Sequence, residues 1–220
     1  MNYQTIKLQP YNEQVKQWPS KGRHILAQYD NDSVIVYQAY RPAIGHFAVQ
    51  HGYFGGEFSL NRMSWIKPNF LWMMYRCGWG AKPGQEVILA VRLQRQFFDS
   101  VLAQAVPSSF NADLYSSQQA WRQAVKQSNV RLQWDPDHDP AGYKLPRRAI
   151  QLGLRGEVLG MYSNSAILEI IDVSELVKQQ RNNITITDSN YQYLVMPQES
   201  VYRPANGAQY EKLGLETQPI

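Results

Sequence analysis

Apolar residues fall into short blocks along most of the chain, some alternating and some recurring every three to four positions, with turn-forming residues between them. SVIVYQAY (33–40), β-branched and aromatic after the turn signal YDNDS, predicts a strand. Pro42 then opens a short helix with Ile44, Phe47, Ala48 and His51 at helical spacing and Gly52 as its stop. EVILAVRL (86–93), apolar at both alternating positions, predicts a central strand, and Phe98, Val101, Leu102 and Ala105 mark the helix after it. Ser116 with Gln119 reads as a capping box for a further helix through Trp121, Ala124 and Val125. NVRLQW (129–134), RAIQLGL (148–154) and AILEIID (166–172) predict strands, followed by a helix over 173–181. NITIT (183–187) and YQYLVM (191–196), joined by DSN, predict a closing hairpin. Strands and helices mix without regular βαβ alternation. The expected fold class is therefore α+β: a single domain over residues 1–203 with a mostly antiparallel sheet, which this order allows to be split, flanked by helices. The polar, turn-rich stretch from Pro204 to the end is expected to be a mobile tail.

The densest block is RMSWIKPNFLWMMYRCGWG (62–80), in which Trp65, Trp72 and Trp79 stand seven apart with Lys67, Asn69 and Arg76 among them. A helix over 69–77 puts Trp72 and Arg76 on one face, and Met73 and Cys77 on the next. Such a stripe packs a core, or else it offers aromatic faces to a planar ring and cations to a phosphate. The loop GWGAKPGQ (78–85) adds glycines and Lys82 but lacks the Walker spacing. Two strand glutamines carry a similar choice. Gln38 shares a face with Val34 and Val36, and Gln151 shares one with Ala149 and Gly153. Each amide either satisfies buried backbone groups or lines a cleft and addresses a ligand.

Composition narrows the classes. A chain of 220 residues that is 44% hydrophobic and 12% aromatic has enough apolar material for a core. Cys77 is its one cysteine, which excludes an intrachain disulfide and a multi-Cys zinc site and fits a reducing compartment. The N-terminus has no apolar leader region and nowhere do about 18 apolar residues run together, so a cytoplasmic protein without a membrane partner is expected. The net charge of +4 and pI of about 9.1 suit a nucleotide or nucleic-acid partner, although Lys and Arg are dispersed rather than clustered. DPDHDP (135–140) begins with EF-hand spacing, yet Pro140 replaces the needed glycine and Pro146 the bidentate Glu. His46 and His51 lie on different helix faces, no GxSxG elbow appears, and no metal site is expected.

VYQAYRPAI, RMSWIKPNFLWMMYRCGW with KPGQE after it, VRLQWDPDHD and RAIQLGLRGE resemble successive blocks of the domain of unknown function numbered 4291, over residues 23 to 204. A second, fold-level resemblance is to ADP-ribosyltransferase-like domains, carried by VYQAYRPAIGHFAVQHGYF, then WIKPNFLWMMYR and EVILAVRL. That resemblance implies NAD as substrate, with Tyr37 and Gln38 at a position usually held by His or Arg, and Gln151 or Glu157 nearest to the usual catalytic Glu. It further implies that Tyr37 or Tyr75 stacks on the nicotinamide, that Gln38 holds a ribose hydroxyl, and that Trp72, Lys67 and Arg76 meet the ring and pyrophosphate. The chemistry would pass through an oxocarbenium-like state, which an acidic or polar group stabilises. The alternative is a module that binds a nucleotide or nucleic acid and does no chemistry.

Overall fold

The computed structural model describes residues 4–186 and 191–216. In chain order its elements are β1 (Leu8–Pro10), α1 (Tyr11–Gln14), β2 (Gly22–Arg23), β3 (Leu26–Ala27), β4 (Ser33–Tyr40), α2 (Pro42–His51), β5 (Ser64–Ile66) and α3 (Phe70–Cys77). There follow β6 (Val87–Gln94), α4 (Arg95–Gln104), β7 (Val106–Pro107), α5 (Gln118–Gln127), β8 (Val130–His138), β9 (Lys144–Leu154) and α6 (Gly156–Ser163). The chain closes through β10 (Ile167–Asp172), α7 (Ser174–Ile186), β11 (Val195–Pro197), β12 (Ser200–Val201) and α8 (Ala208–Leu213). Among the described residues no helix is long and apolar enough to cross a membrane.

This is a single α+β domain with two main sheets. One has the order β10-β6-β4, antiparallel throughout. The other runs β2-β9-β8-β7, with β5 also paired to β9; its β2–β9 and β7–β8 pairings are parallel. The sheets meet at one rung, where the backbones of Tyr37 and Lys67 exchange hydrogen bonds of 2.7 and 3.3 Å. Both faces of β4 are buried because its alternate residues feed different cores. Val34, Val36 and Tyr40 join the larger cluster with Leu89, Phe98 and Leu152. Ile35 and Tyr37 join a second cluster with Phe70, Met74 and Leu176.

Local signals decide several boundaries. Pro42 starts α2, and Gly52 ends it at a φ of 75°, where its N–H reaches Ala48 O. The cap of α5 is Ser117, whose hydroxyl accepts from Ala120 N, one residue beyond the expected Ser116 box. The expected hairpin does not form. Residues 183–186 continue α7, and Val195–Pro197 pairs instead with β1 near the N-terminus; the DSN turn lies outside the described residues. Of the stretch after Pro204, expected to be mobile, the described residues 205–216 carry α8, where Leu213 is buried and its carbonyl accepts from Trp134 Nε1 at 2.9 Å.

Candidate functional site

The second sheet has one apolar face and one polar face. Leu132, Ile150 and Leu152 turn into the core, while β8 and β9 place Gln133 opposite Gln151 and Asp135 opposite Ala149 on the other side. Next along β9, Gly153 pairs with Trp65 of β5. A Cβ on Gly153 would lie 2.5 Å from Met63 Sδ and 3.0 Å from Trp65 Cε2. The room beside Gln151 is therefore taken by Met63 and Trp65, and the indole becomes part of the cleft floor.

Helix α3 supplies the wall. Asn69 caps it by accepting Trp72 N at 2.6 Å, and Gly78 ends it in the left-handed region. One turn separates Trp72 from Arg76, so both reach the same cavity of about 390 Å³ with Trp65, Lys67 and Asp135. A second cavity of about 260 Å³ shares Trp65, Lys67 and Arg76 and continues past Gln38, Ser64 and Arg62. The residues common to both make one cleft between the two sheets, within the size range of small-ligand sites.

The charges in this cleft are arranged rather than scattered. Gln151 Nε2 donates to one Asp135 oxygen at 2.7 Å and Gln133 Nε2 to the other at 2.8 Å, which fixes the carboxylate plane. Lys67 is 6% exposed, and its ammonium donates to Trp65 O at 3.3 Å. Among the described residues no carboxylate forms an ion pair with Lys67 or Arg76. Burial first, then the neighbouring Arg76 charge, pull the Lys67 ammonium down to about 8, against the opposing pull of Asp135. Trp72 Nε1 is buried without a hydrogen-bond partner. A pair of cations, one braced carboxylate and the indole face of Trp65 suit an anionic ligand that also carries a planar ring.

Of the residues singled out in the sequence, Lys67, Trp72, Arg76 and Gln151 converge on the first cavity. Gln38 borders the second, but its amide is engaged by the protein: Nε2 donates to Ser64 Oγ at 2.8 Å and Trp65 O at 3.2 Å, while Oε1 accepts from Tyr162 at 2.5 Å. Tyr37 does not line the cleft. It is fully buried in the second core with its ring edge-on to Phe70, because it alternates with Gln38 on β4. Tyr75 stacks on His138, ring centroids 3.5 Å apart, and borders a separate hollow near Trp79 and Gly142. Glu157 is exposed in the first turn of α6 and belongs to neither wall of the cleft. The carboxylate actually present is Asp135, which the sequence presented only as part of a failed calcium spacing. Its two companions diverge: Asp137 is buried against Arg147, and Asp139 caps a turn through Tyr143 N. Trp79, at a φ of 54°, packs on Phe70 instead of the cleft, and Cys77 is buried in the same core.

Behind α3 lies a buried polar layer that sequence reasoning missed. Glu199 accepts Phe70 N at 2.7 Å and Asn69 Nδ2 at 3.2 Å, which satisfies the helix start and its capping residue together. Burial raises the Glu199 carboxyl well above its usual value, with the Asp137 charge acting in the same direction and the Phe70 N–H against it. Arg147 Nε and Nη2 both lie 2.7 Å from Asp137 Oδ2, and the guanidinium also donates to Pro19 O and stacks over Trp18. The sequence signal was DPDHD itself, polar at alternating strand positions.

Among proteins of curated function, none matches the chain. Residues 24–202 match the family described as a domain of unknown function, DUF4291. That span contains both main sheets apart from the short strand β2, together with helix α3, the cleft and Glu199 behind it, so the chain belongs to the domain-of-unknown-function family DUF4291.

Proposed function

We propose that the cleft binds NAD as a substrate and that the protein is an ADP-ribosyltransferase-like enzyme acting on an acceptor of its own. The observation that carries this reading is the joint presence of Lys67, Arg76 and the amide-braced Asp135 in a cavity walled by Trp65 and Trp72. In this reading the pyrophosphate meets Lys67 and Arg76, and a ring of the ligand lies against Trp65. Asp135, held in one orientation by Gln133 and Gln151, faces the positive charge that develops as the nicotinamide–ribose bond breaks; such preorganised opposite charge needs no rearrangement during the reaction. Gln151 acts through Asp135. The departing electron pair stays on the nicotinamide nitrogen, and the acceptor nucleophile closes on the anomeric carbon.

Incubation with NAD and measurement of released nicotinamide tests this directly. The wild type should release it, and Asp135→Asn, which keeps shape and loses charge, should slow release by about 100-fold or more. A second reading is a nucleotide- or nucleic-acid-binding module without chemistry, favoured by Glu157 lying away from the cleft on α6. An NAD-induced rise in melting temperature without nicotinamide release, or nucleic-acid binding that weakens steeply with salt, would select it.

A further inference from the structure

Lys67 stands apart from the other lysines of the chain. Its side chain is buried, it borders both cavities of the cleft, and it makes one hydrogen bond to a backbone carbonyl. Two donor positions on its nitrogen thus have no acceptor among the described residues. The groups acting on it electrostatically are Arg76 and Cys77 from α3 and Asp135 from β8. A lysine kept only for charge is ordinarily solvated or paired, since a buried ammonium is costly to maintain. A lysine placed in a desolvated, cation-flanked pocket is the arrangement that turns an amine into a nucleophile.

We propose that Lys67 is an imine-forming amine and that the cleft takes a phosphorylated aldehyde, whose phosphate meets Arg76 while its carbonyl carbon meets Lys67 Nζ. The neutral amine attacks the carbonyl carbon and forms a carbinolamine. Loss of its hydroxyl with a proton, as water, leaves the C=N bond, and no oxidant or reductant is consumed. Proton exchange with solvent through the open cavity completes the balance. Asp135 lies in the same cavity with a fixed carboxylate, suited to stabilise the protonated imine. The lowered proton affinity of Lys67 agrees with this geometry, because about a tenth of the amine is then neutral at pH 7, far more than for an exposed lysine. This inference does not depend on NAD turnover, although both ligands would use Arg76.

Pyridoxal 5′-phosphate is a suitable probe, since it is a phosphorylated aldehyde whose imine absorbs in the visible range and is trapped by borohydride. At low ratios of probe to protein, peptide mapping after reduction should find the label mainly on Lys67. Arg76→Gln, or pyridoxal without its phosphate, should reduce labelling at Lys67 by about 10-fold while surface lysines label as before. Lys67→Arg should remove the label from this peptide and lower the visible band by the share that Lys67 carries. Circular dichroism of the variants checks that they are folded, and the phosphate-free probe tests the wild type even where a variant is not. Label spread over the surface lysines without preference for Lys67, or labelling indifferent to both Arg76 and the phosphate, would overturn the proposal. Protection of Lys67 by NAD separates the two readings: labelling without protection supports the imine and counts against NAD in this cleft. An NAD-induced thermal shift without labelling does the reverse.

Discussion

At the scale of single residues, Lys67 costs stability because its ammonium is buried. Its ammonium is protonated up to about pH 8 in the folded chain and up to 10.5 when exposed. Between these values the unfolded chain binds more protons, so stability contributed by this group rises with pH across the window; below it, the full desolvation cost is present. Lys67→Met should therefore raise unfolding stability at neutral pH by up to about 3 kcal/mol, with the gain fading as pH approaches 10.5. Urea unfolding at pH 7 and at pH 10 measures it, and a variant less stable than wild type at pH 7 would show that the ammonium is well accommodated. Lys67, Trp72 and Arg76 were legible in the sequence because Lys67 stands beside a helix whose period joins the other two. Asp135 was not. The strand read from the sequence stopped at Trp134, whereas β8 runs on to His138, with an irregularity between Pro136 and His138, and so carries Asp135 onto the sheet face opposite Ala149.

At the scale of elements, α3 depends on a residue far along the chain. Glu199 satisfies Phe70 N and the Asn69 amide, and Asn69 in turn satisfies Trp72 N. Glu199→Ala leaves two buried donors without acceptors and should cost about 2–3 kcal/mol, whereas Glu199→Gln keeps an oxygen for Phe70 N and should cost about 1 kcal/mol or less. The folded carboxyl holds its proton at pH values where the unfolded one, with its ordinary value of 4.5, has released it. Wild-type stability from this group is accordingly present below 4.5 and is lost as pH rises above it; Glu199→Gln should remove that slope, read as melting temperature against pH. Most elements were legible from local pattern, with α2 marked by Pro42 and Gly52. The closing hairpin was misread because β-branched Ile184 and Ile186 suggested strand, whereas α7 runs on to Ile186 with Ile184 packed against the second core. The partner of Val195–Pro197 is β1, nearly the whole chain away, and no local signal announces such a pairing.

At the scale of the whole molecule, Gln38 helps to join the sheets. From β4 it reaches Ser64 and the Trp65 carbonyl on β5 and receives the Tyr162 hydroxyl from α6. Gln38→Ala should destabilise by about 1–3 kcal/mol, since Tyr162 is fully buried and would lose its acceptor. Thermal unfolding with and without NAD gives the measurement; a variant as stable as wild type but blind to NAD would instead make Gln38 a ligand contact. The split of the sheet was readable from the irregular order of strands, but the cleft along the split required knowing that β5 pairs with β9 and that the backbone bridge to β4 lies just beyond it. That single rung is the backbone of Tyr37 and Lys67. The same residue thus carries the amine on its side chain and the seam of the fold on its main chain. Because that bridge fixes the Lys67 backbone, the place of its side-chain nitrogen is tied to the join between the sheets, and a change that disturbs the join displaces the amine with it.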